Sequence, residues 1–129
     1  MTLFGGFRRL LYYIQRIFLV FGMRNKILLV QPQQGSSGAF VRHIPLGLLY
    51  TSASLVKDGD PITIYDCRLN PRGWEEDLRG LIDSETLLVG ISVLSGTPVA
   101  EASKISSIVK GVDPQVNIVY GGPHATFNP

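Results

Sequence analysis

From Lys26 onward, short apolar runs alternate with segments whose apolar residues recur every three or four positions. The first pattern predicts strands and the second helices. Lys26 to Gln31 (KILLVQ) is a continuous apolar run, as expected of a strand buried on both faces of a parallel sheet. A polar, glycine-bearing loop follows over Pro32 to Phe40 (PQQGSSGAF). Leu46, Leu49, Tyr50, Ala53 and Val56 then mark the buried face of a helix that ends at Gly59, a residue suited to a left-handed stop. Pro61 to Tyr65 predicts the second strand. Trp74 to Ile82 predicts a shorter helix, with Glu75, Glu76 and Asp77 in a first turn where acids complement the helix dipole. Thr86 to Val93 (TLLVGISV) is the third strand. Thr97 and Pro98 read as a cap and first-position pair, and Ala102, Ile105, Ile108, Val109 and Val112 as the buried face of the longest helix, stopping at Gly111. Val116 to Tyr120 (VNIVY) is the fourth strand, and Gly121 to Thr126 a loop beyond it.

Strands and helices in turn predict a parallel sheet, and right-handed crossovers place helices on both of its faces. The expected fold is α/β: a flavodoxin-like (Rossmann-like) doubly wound sheet of strand order 2-1-3-4. Such sheets usually continue to a fifth strand, so strand four is expected to present an unpaired edge. A partner, the rest of a longer chain or the N-terminal segment would cover it, and a homodimer through that edge or through the N-terminal segment is one expectation.

The N-terminal segment is distinct. Residues 1–25 carry Arg8, Arg9, Arg16 and Arg24 and no acid, whereas residues 26–129 hold 8 basic against 10 acidic residues. Phe4, Phe7, Leu10, Leu11, Ile14, Phe18 and Phe21 recur at helical spacing, so a basic amphipathic helix is expected ahead of an α/β domain over 26–129. The arginines interrupt the apolar stretch before it reaches the ~20 residues of a membrane span, and no small-residue cleavage site of a secretory signal follows. Two roles fit such a helix: docking against protein, or peripheral contact with an anionic membrane surface.

Composition narrows the classes. In 129 residues, 45% are hydrophobic, 17% charged and 9% aromatic, which suits one globular core. A formal charge of +2 is too near balance for a phosphate-coating protein, so no nucleic-acid partner is expected. The single cysteine, Cys67, excludes an intramolecular disulfide, a zinc site of several thiolates and the three thiolates usual for an iron–sulfur cluster. A reducing, cytoplasmic compartment is expected, with membrane association only through residues 1–25.

In open parallel sheets ligands bind outside the carboxyl ends of the strands, where the winding reverses, here between strands one and three. Three loops converge there: Pro32 to Phe40, Ser92 to Thr97, and Gly121 to Thr126. They are rich in small and hydroxylated residues, which let a large ligand approach the backbone, although glycine clusters are also ordinary turn punctuation. Gly35 and Gly38 do not meet the G-x-G-x-x-G spacing of a dinucleotide site, and no lysine follows a glycine pair as a P-loop requires. A phospho-receiver needs a carboxylate at the end of strand three, where Ser92 and Ser95 stand. A flavin phosphate held by Gly35 to Gly38 stays open, with few aromatics to sandwich the ring.

Three strings at these positions, His43 to Leu55 (HIPLGLLYTSASL), Val89 to Gly96 (VGISVLSG) and Val119 to Thr126 (VYGGPHAT), resemble the cobalamin-binding domain of cobalamin-dependent radical S-adenosylmethionine enzymes. The resemblance covers about residues 26 to 129. The wider family has a Ser-x-Leu element after strand three, matched by Ser92, Val93 and Leu94, and a glycine pair after strand four, matched by Gly121 and Gly122. The resemblance implies that the first forms part of the pocket for the nucleotide tail of cobalamin and that the second lets backbone lie against it. Implied cofactor-contacting residues are Gln33, Gln34, Gly35, Ser36, Ser37 and Gly38; Pro45, Leu46 and Gly47; Ser92, Val93, Leu94, Ser95, Gly96 and Thr97; and Gly121, Gly122, Pro123 and His124.

The loop after strand one departs from part of that family. Methionine synthase and the cobalamin mutases carry Asp-x-His-x-x-Gly there, whose histidine ligates cobalt; here Pro32 to Gly38 contains no histidine. The resemblance to the radical enzymes therefore implies base-off cobalamin without a histidine lower ligand. His124, within GGPHAT, reads either as a ligand contact or as a turn-stabilising group, and His43 as an exposed loop residue. Asp66 reads as a turn or cap residue, Trp74 and Tyr50 as packing residues, and Cys67 as a buried spectator.

The expected function is a cobalamin-binding module serving a radical S-adenosylmethionine enzyme such as a methyltransferase. S-adenosylmethionine and the iron–sulfur cluster would belong to a catalytic domain or subunit outside these residues, because one cysteine cannot supply a C-x-x-x-C-x-x-C motif. Two other classes stay open: a flavin- or nucleotide-binding redox module, and a non-catalytic assembly domain.

Overall fold

The computed structural model describes residues 24–34, 43–94 and 96–127. Four strands, β1 (Lys26–Gln31), β2 (Ile62–Asp66), β3 (Thr86–Ser92) and β4 (Asn117–Gly121), form one parallel sheet of order β2-β1-β3-β4. The helices between and after them are α1 (Leu46–Lys57), α2 (Trp74–Leu81), α3 (Thr97–Val112) and the short α4 (Pro123–Phe127), with a 3-10 turn at Cys67–Leu69. The flavodoxin-like order is the one expected. The predicted N-terminal helix lies outside the described residues.

Alternation along each strand divides the sheet into two faces. Leu28 and Val30 of β1 and Val89 and Ile91 of β3 point to one face, where they join Trp74 and Leu78 of α2 and Ala102, Ile105, Ile108 and Val109 of α3 in a buried cluster. Each such side chain stabilises the fold by roughly 1.5–3 kcal/mol through burial. At the amino edge, Lys26 Nζ donates to the Leu81 carbonyl and to Asp83, each at 2.7 Å, tying β1 to the end of α2. Arg24 donates to the Thr86 carbonyl at 3.1 Å and pairs with Asp113.

The other face carries α1, which lies over β1 and β2. Its buried residues are Leu48 and Ser52, so the expected inner face is corrected. Leu46, Leu49, Tyr50 and Val56 are 60%, 40%, 77% and 59% exposed, Leu46 and Tyr50 opposite the buried stripe and Leu49 and Val56 along its flank. Both stripes have helical spacing; the sheet takes the one with the small Ser52 at its centre, which lets the helix axis approach the strands closely.

Three local expectations also change. Gly96, with φ of 94°, precedes the first turn of α3, and Thr97 is its first helical residue rather than a capping side chain. The helix runs through Gly111 to Val112, which is 41% exposed, because the preceding turns already carry the buried contacts. The residues after β4, expected as a loop, form α4. Gly59, by contrast, takes the predicted left-handed conformation, with φ of 83°.

Candidate functional site

Because α1 lies mainly over β1 and β2, the β3 and β4 half of that sheet face is left uncovered by the described residues. A trough of about 460 Å³ runs there between helix and sheet, from Ile27 and Leu88 near the amino edge to Ser92, Gly121 and Gly122 at the carboxyl edge. Its size falls in the ordinary range of ligand pockets. Gly47, Leu48, Thr51 and Leu55 form the α1 wall, and Leu29, Gly90 and Val119 belong to the floor. The surface is predominantly apolar, with the Ser92 and Thr51 hydroxyls among its polar groups.

The floor becomes smaller toward the carboxyl edge. Along the trough parity β3 reads Leu88, Gly90, Ser92 and β4 reads Val119, Gly121. A Cβ on Gly90 would meet Leu29 Cδ2 at 2.8 Å, the end of a flexible side chain, whereas one on Gly121 or Gly47 would meet nothing within 4 Å. These glycines keep volume open. Gly122 serves the backbone instead, since its φ is 92° and a Cβ there would stand 3.0 Å from the Val93 carbonyl oxygen. The ends of β3 and β4 are stitched together at this point. Val93 N–H donates to the Gly121 carbonyl at 2.8 Å, and His124 N–H donates to the Val93 carbonyl at 3.1 Å.

The expected site residues therefore divide. Gly47, Ser92, Gly121 and Gly122 meet in the trough. Val93 is 3% exposed and turns into the opposite face, where it shares a second cavity of about 440 Å³ with Val99, Ala102, Ser103, Tyr120, His124 and Ala125. Parity explains this, since Val93 is one position out of step with Ser92. His124 thus faces away from the trough. Leu94, Gly96, Thr97 and Pro123 lie along the carboxyl edge without lining either cavity, and Leu46 points outward. Gly35, Ser36, Ser37, Gly38 and Ser95 lie outside the described residues.

Gln33 and Pro45 do not line the trough; Pro45 borders a smaller cavity of about 210 Å³ with His43, Ile44, Asp66, Arg68 and Leu69. The Gln33 amide donates to the Cys67 carbonyl at 2.5 Å, and the Pro45 carbonyl accepts from Leu49 N–H at 3.0 Å. Gln34, half-buried, follows Gln33. Cys67 itself is fully buried, and desolvation with the neighbouring Asp66 charge pushes its thiol up to about 12. It is protonated and inert at neutral pH. Among the described residues no three His, Cys, Asp or Glu side chains cluster as a metal site. No described helix is long and apolar enough to cross a membrane.

Sequence reading missed most of the trough lining: Ile27, Leu29, Leu48, Thr51, Leu55, Leu88, Gly90, Ile91 and Val119. One signal was present. A glycine inside a strand, as at Gly90, often marks close approach of a ligand or another backbone.

An open parallel sheet with a small-residue trough at its carboxyl edge defines an α/β ligand-binding domain. The family of the B12 binding domain matches residues 39–129, and the chain belongs to that family. Among solved structures, the chain is similar to the radical S-adenosylmethionine methyltransferase TsrM from Kitasatospora setae, determined with cobalamin and a 4Fe-4S cluster bound. The TM-score is 0.65 at 21% sequence identity, over 78% of this chain and 20% of that one. The chain thus spans about one fifth of the length of that methyltransferase. No curated protein matches it.

Proposed function

We propose that the chain holds cobalamin with its nucleotide tail in the trough and its corrin ring against the carboxyl edge, as the cofactor-binding module of a radical S-adenosylmethionine enzyme. The observation that carries this reading is the graded floor: Leu88, Gly90, Ser92 on β3 and Val119, Gly121 on β4 leave a deep, apolar slot beside α1. A flat heteroaromatic base on a flexible linker suits such a slot, and hydroxyls near the mouth suit its polar connections. Membership of the B12 binding domain family supports the ligand, and the likeness to TsrM supports the kind of enzyme.

Residues of this chain would bind and orient the cofactor. Gly47, Ser92, Gly121 and Gly122 would line the tail slot, and Gln34, Pro45, Leu94, Gly96 and Thr97 would face the ring. With no histidine from Pro32 to Gly38, the cofactor would be base-off without a histidine lower ligand from that loop. When bound, cobalamin supplies methyl-carrier chemistry, and protein polarity around cobalt tunes it. S-adenosylmethionine and its cluster would reside in a catalytic domain or subunit outside residues 26–129.

The test is an anaerobic titration of the full chain with hydroxocobalamin and methylcobalamin, followed by ultraviolet–visible spectra. Saturable binding with a base-off change, lost in Ser92→Trp and Gly121→Trp, is the expected result. A folded chain that leaves both spectra unchanged, or one that purifies with a flavin spectrum, contradicts it.

A further inference from the structure

The trough wall depends on a turn that does not line it. Arg68 lies in the 3-10 turn after β2, with its side chain 7% exposed, and forms a two-point fork with Asp66. Its Nε donates to Asp66 Oδ1 at 2.9 Å and its Nη2 to Oδ2 at 2.7 Å. The same Nη2 donates to the His43 carbonyl at 2.6 Å. Asp66 Oδ1 also accepts from Arg68 N–H at 3.0 Å, which closes the turn on itself. One residue earlier in that turn, the Cys67 carbonyl accepts from Gln33 at 2.5 Å.

A single turn therefore grips the chain twice, two residues after β1 and three residues before α1. Just beyond His43 the chain forms the trough wall with Gly47, Leu48 and Thr51. α1 begins without a side-chain cap at Pro45, so its first turn has no local anchor of that kind. The bond that Arg68 donates to the His43 carbonyl holds the chain from outside the helix. Removing a charged pair from water costs more than an apolar pair of the same volume, and here the pair lies beside the His43 carbonyl, to which Arg68 gives a third N–H. A guanidinium offers that third donor in the plane of the fork; an ammonium is a single point charge and cannot span all three acceptors in the same way.

We propose that Arg68 is a positioning residue for cofactor binding: through the His43 carbonyl it fixes where α1 starts, and so sets the distance between Gly47 and the Ser92 and Gly121 side of the trough. This inference rests on the reading of the trough as the cobalamin site. Among the described residues the other ion pairs outside the amino edge, Glu75 with Lys104 and Arg79 with Glu75 and Glu76, sit on exposed helix surfaces and involve no trough residue.

The experiment compares Arg68→Met, Arg68→Lys and a closed-face control, Ile105→Val, in the full chain. Two quantities are read: the Kd for hydroxocobalamin well below the unfolding midpoint, and amide hydrogen exchange from Leu49 to Ser52 without cofactor. Arg68→Met should weaken cobalamin at least tenfold and speed exchange in that helix turn. Arg68→Lys, which keeps a charge for Asp66 and loses the His43 bond, should fall between it and the wild type. Ile105→Val should lower the midpoint while its Kd stays within twofold. An unchanged Kd in folded Arg68→Met overturns the proposal, as does an equal loss of affinity in the control. If the wild type binds no cobalamin, the cobalamin reading of the trough fails and exchange decides the brace alone: acceleration confined to Leu49–Ser52 supports it, and none overturns it. Should Arg68→Met not fold, Arg68→Lys is judged by the same criteria.

Discussion

The two faces of the sheet are built from the same four strands and do opposite work. On one face Leu28, Val30, Val89 and Ile91 meet α2 and α3, and the space between is filled by Trp74, Leu78, Ile105 and Val109. On the other face the alternate residues pass from Leu88 to the smaller Gly90 and Ser92 on β3, and among the described residues α1 lies mainly over the β1 and β2 half. Packing on the first face supplies the buried core, with a cavity of about 440 Å³ at its carboxyl end beside Val93, Val99 and Tyr120; on the second face the trough leaves volume between α1 and the strands themselves. A one-residue step along a strand moves a substitution from one role to the other.

The largest loss of stability is expected on the filled face. Leu78→Ala, at a fully buried position, should destabilise the fold by about 2–5 kcal/mol in urea unfolding. Cobalamin affinity per folded molecule should change little. Gly122→Ala lies where the faces meet, and forcing a Cβ into a φ of 92° beside the Val93 carbonyl should cost roughly 1–3 kcal/mol. Thermal unfolding and equilibrium dialysis on the same sample should show both a lower midpoint and weaker cobalamin binding.

Gly90→Val inverts the pattern. An added Cβ meets the movable end of Leu29 at 2.8 Å and that of Leu88 at 3.9 Å, and a β-branched residue suits a strand better than glycine. Stability should shift by no more than about 1 kcal/mol, while cobalamin affinity falls at least tenfold. If the two quantities fall together, the separation of roles is wrong.

Cys67 sharpens the comparison through pH. Its thiol is pushed up to about 12 from an ordinary 9.0, chiefly by desolvation. The folded state therefore holds the proton more tightly than the unfolded chain. Stability is fully present below about pH 9 and falls as pH rises through the window toward 12. A thiol reagent at pH 8.5 should react only as fast as the protein unfolds; rapid labelling of folded protein contradicts the burial. The smallest effect belongs to Tyr50, 77% exposed on the outer side of α1. Tyr50→Ser should leave the unfolding midpoint within the roughly ±0.5 kcal/mol typical of surface changes.

Much of the sheet was legible because buried parallel strands are continuous apolar runs: KILLVQ is β1 from end to end. The faces of α1 were not legible. That helix carries two stripes at helical spacing, and only the sheet beneath it decides between Leu48 with Ser52 and Leu46 with Leu49, Tyr50 and Val56. The convergence of Gly47, Ser92, Gly121 and Gly122 on one trough was legible from their positions at the carboxyl ends of the strands and the start of α1. The depth of the trough was hidden. Which strand residues share the floor depends on register, and the register shift between Lys26 and Ile27 where β1 meets β3 has no mark in the sequence. Strand parity also separates Ser92 from Val93 and moves His124 to the other cavity, although all three stand within the matched strings.

The most direct test of the central claim compares cobalamin with cobinamide, a corrinoid that lacks the nucleotide tail, in equilibrium dialysis against the wild type and Gly90→Val. If the tail occupies the trough, the wild type should bind cobalamin at least tenfold more tightly than cobinamide, and Gly90→Val should erase that preference while still binding cobinamide as before. Equal affinity of the wild type for the two corrinoids, or a preference that survives Gly90→Val, would contradict the assignment of the trough.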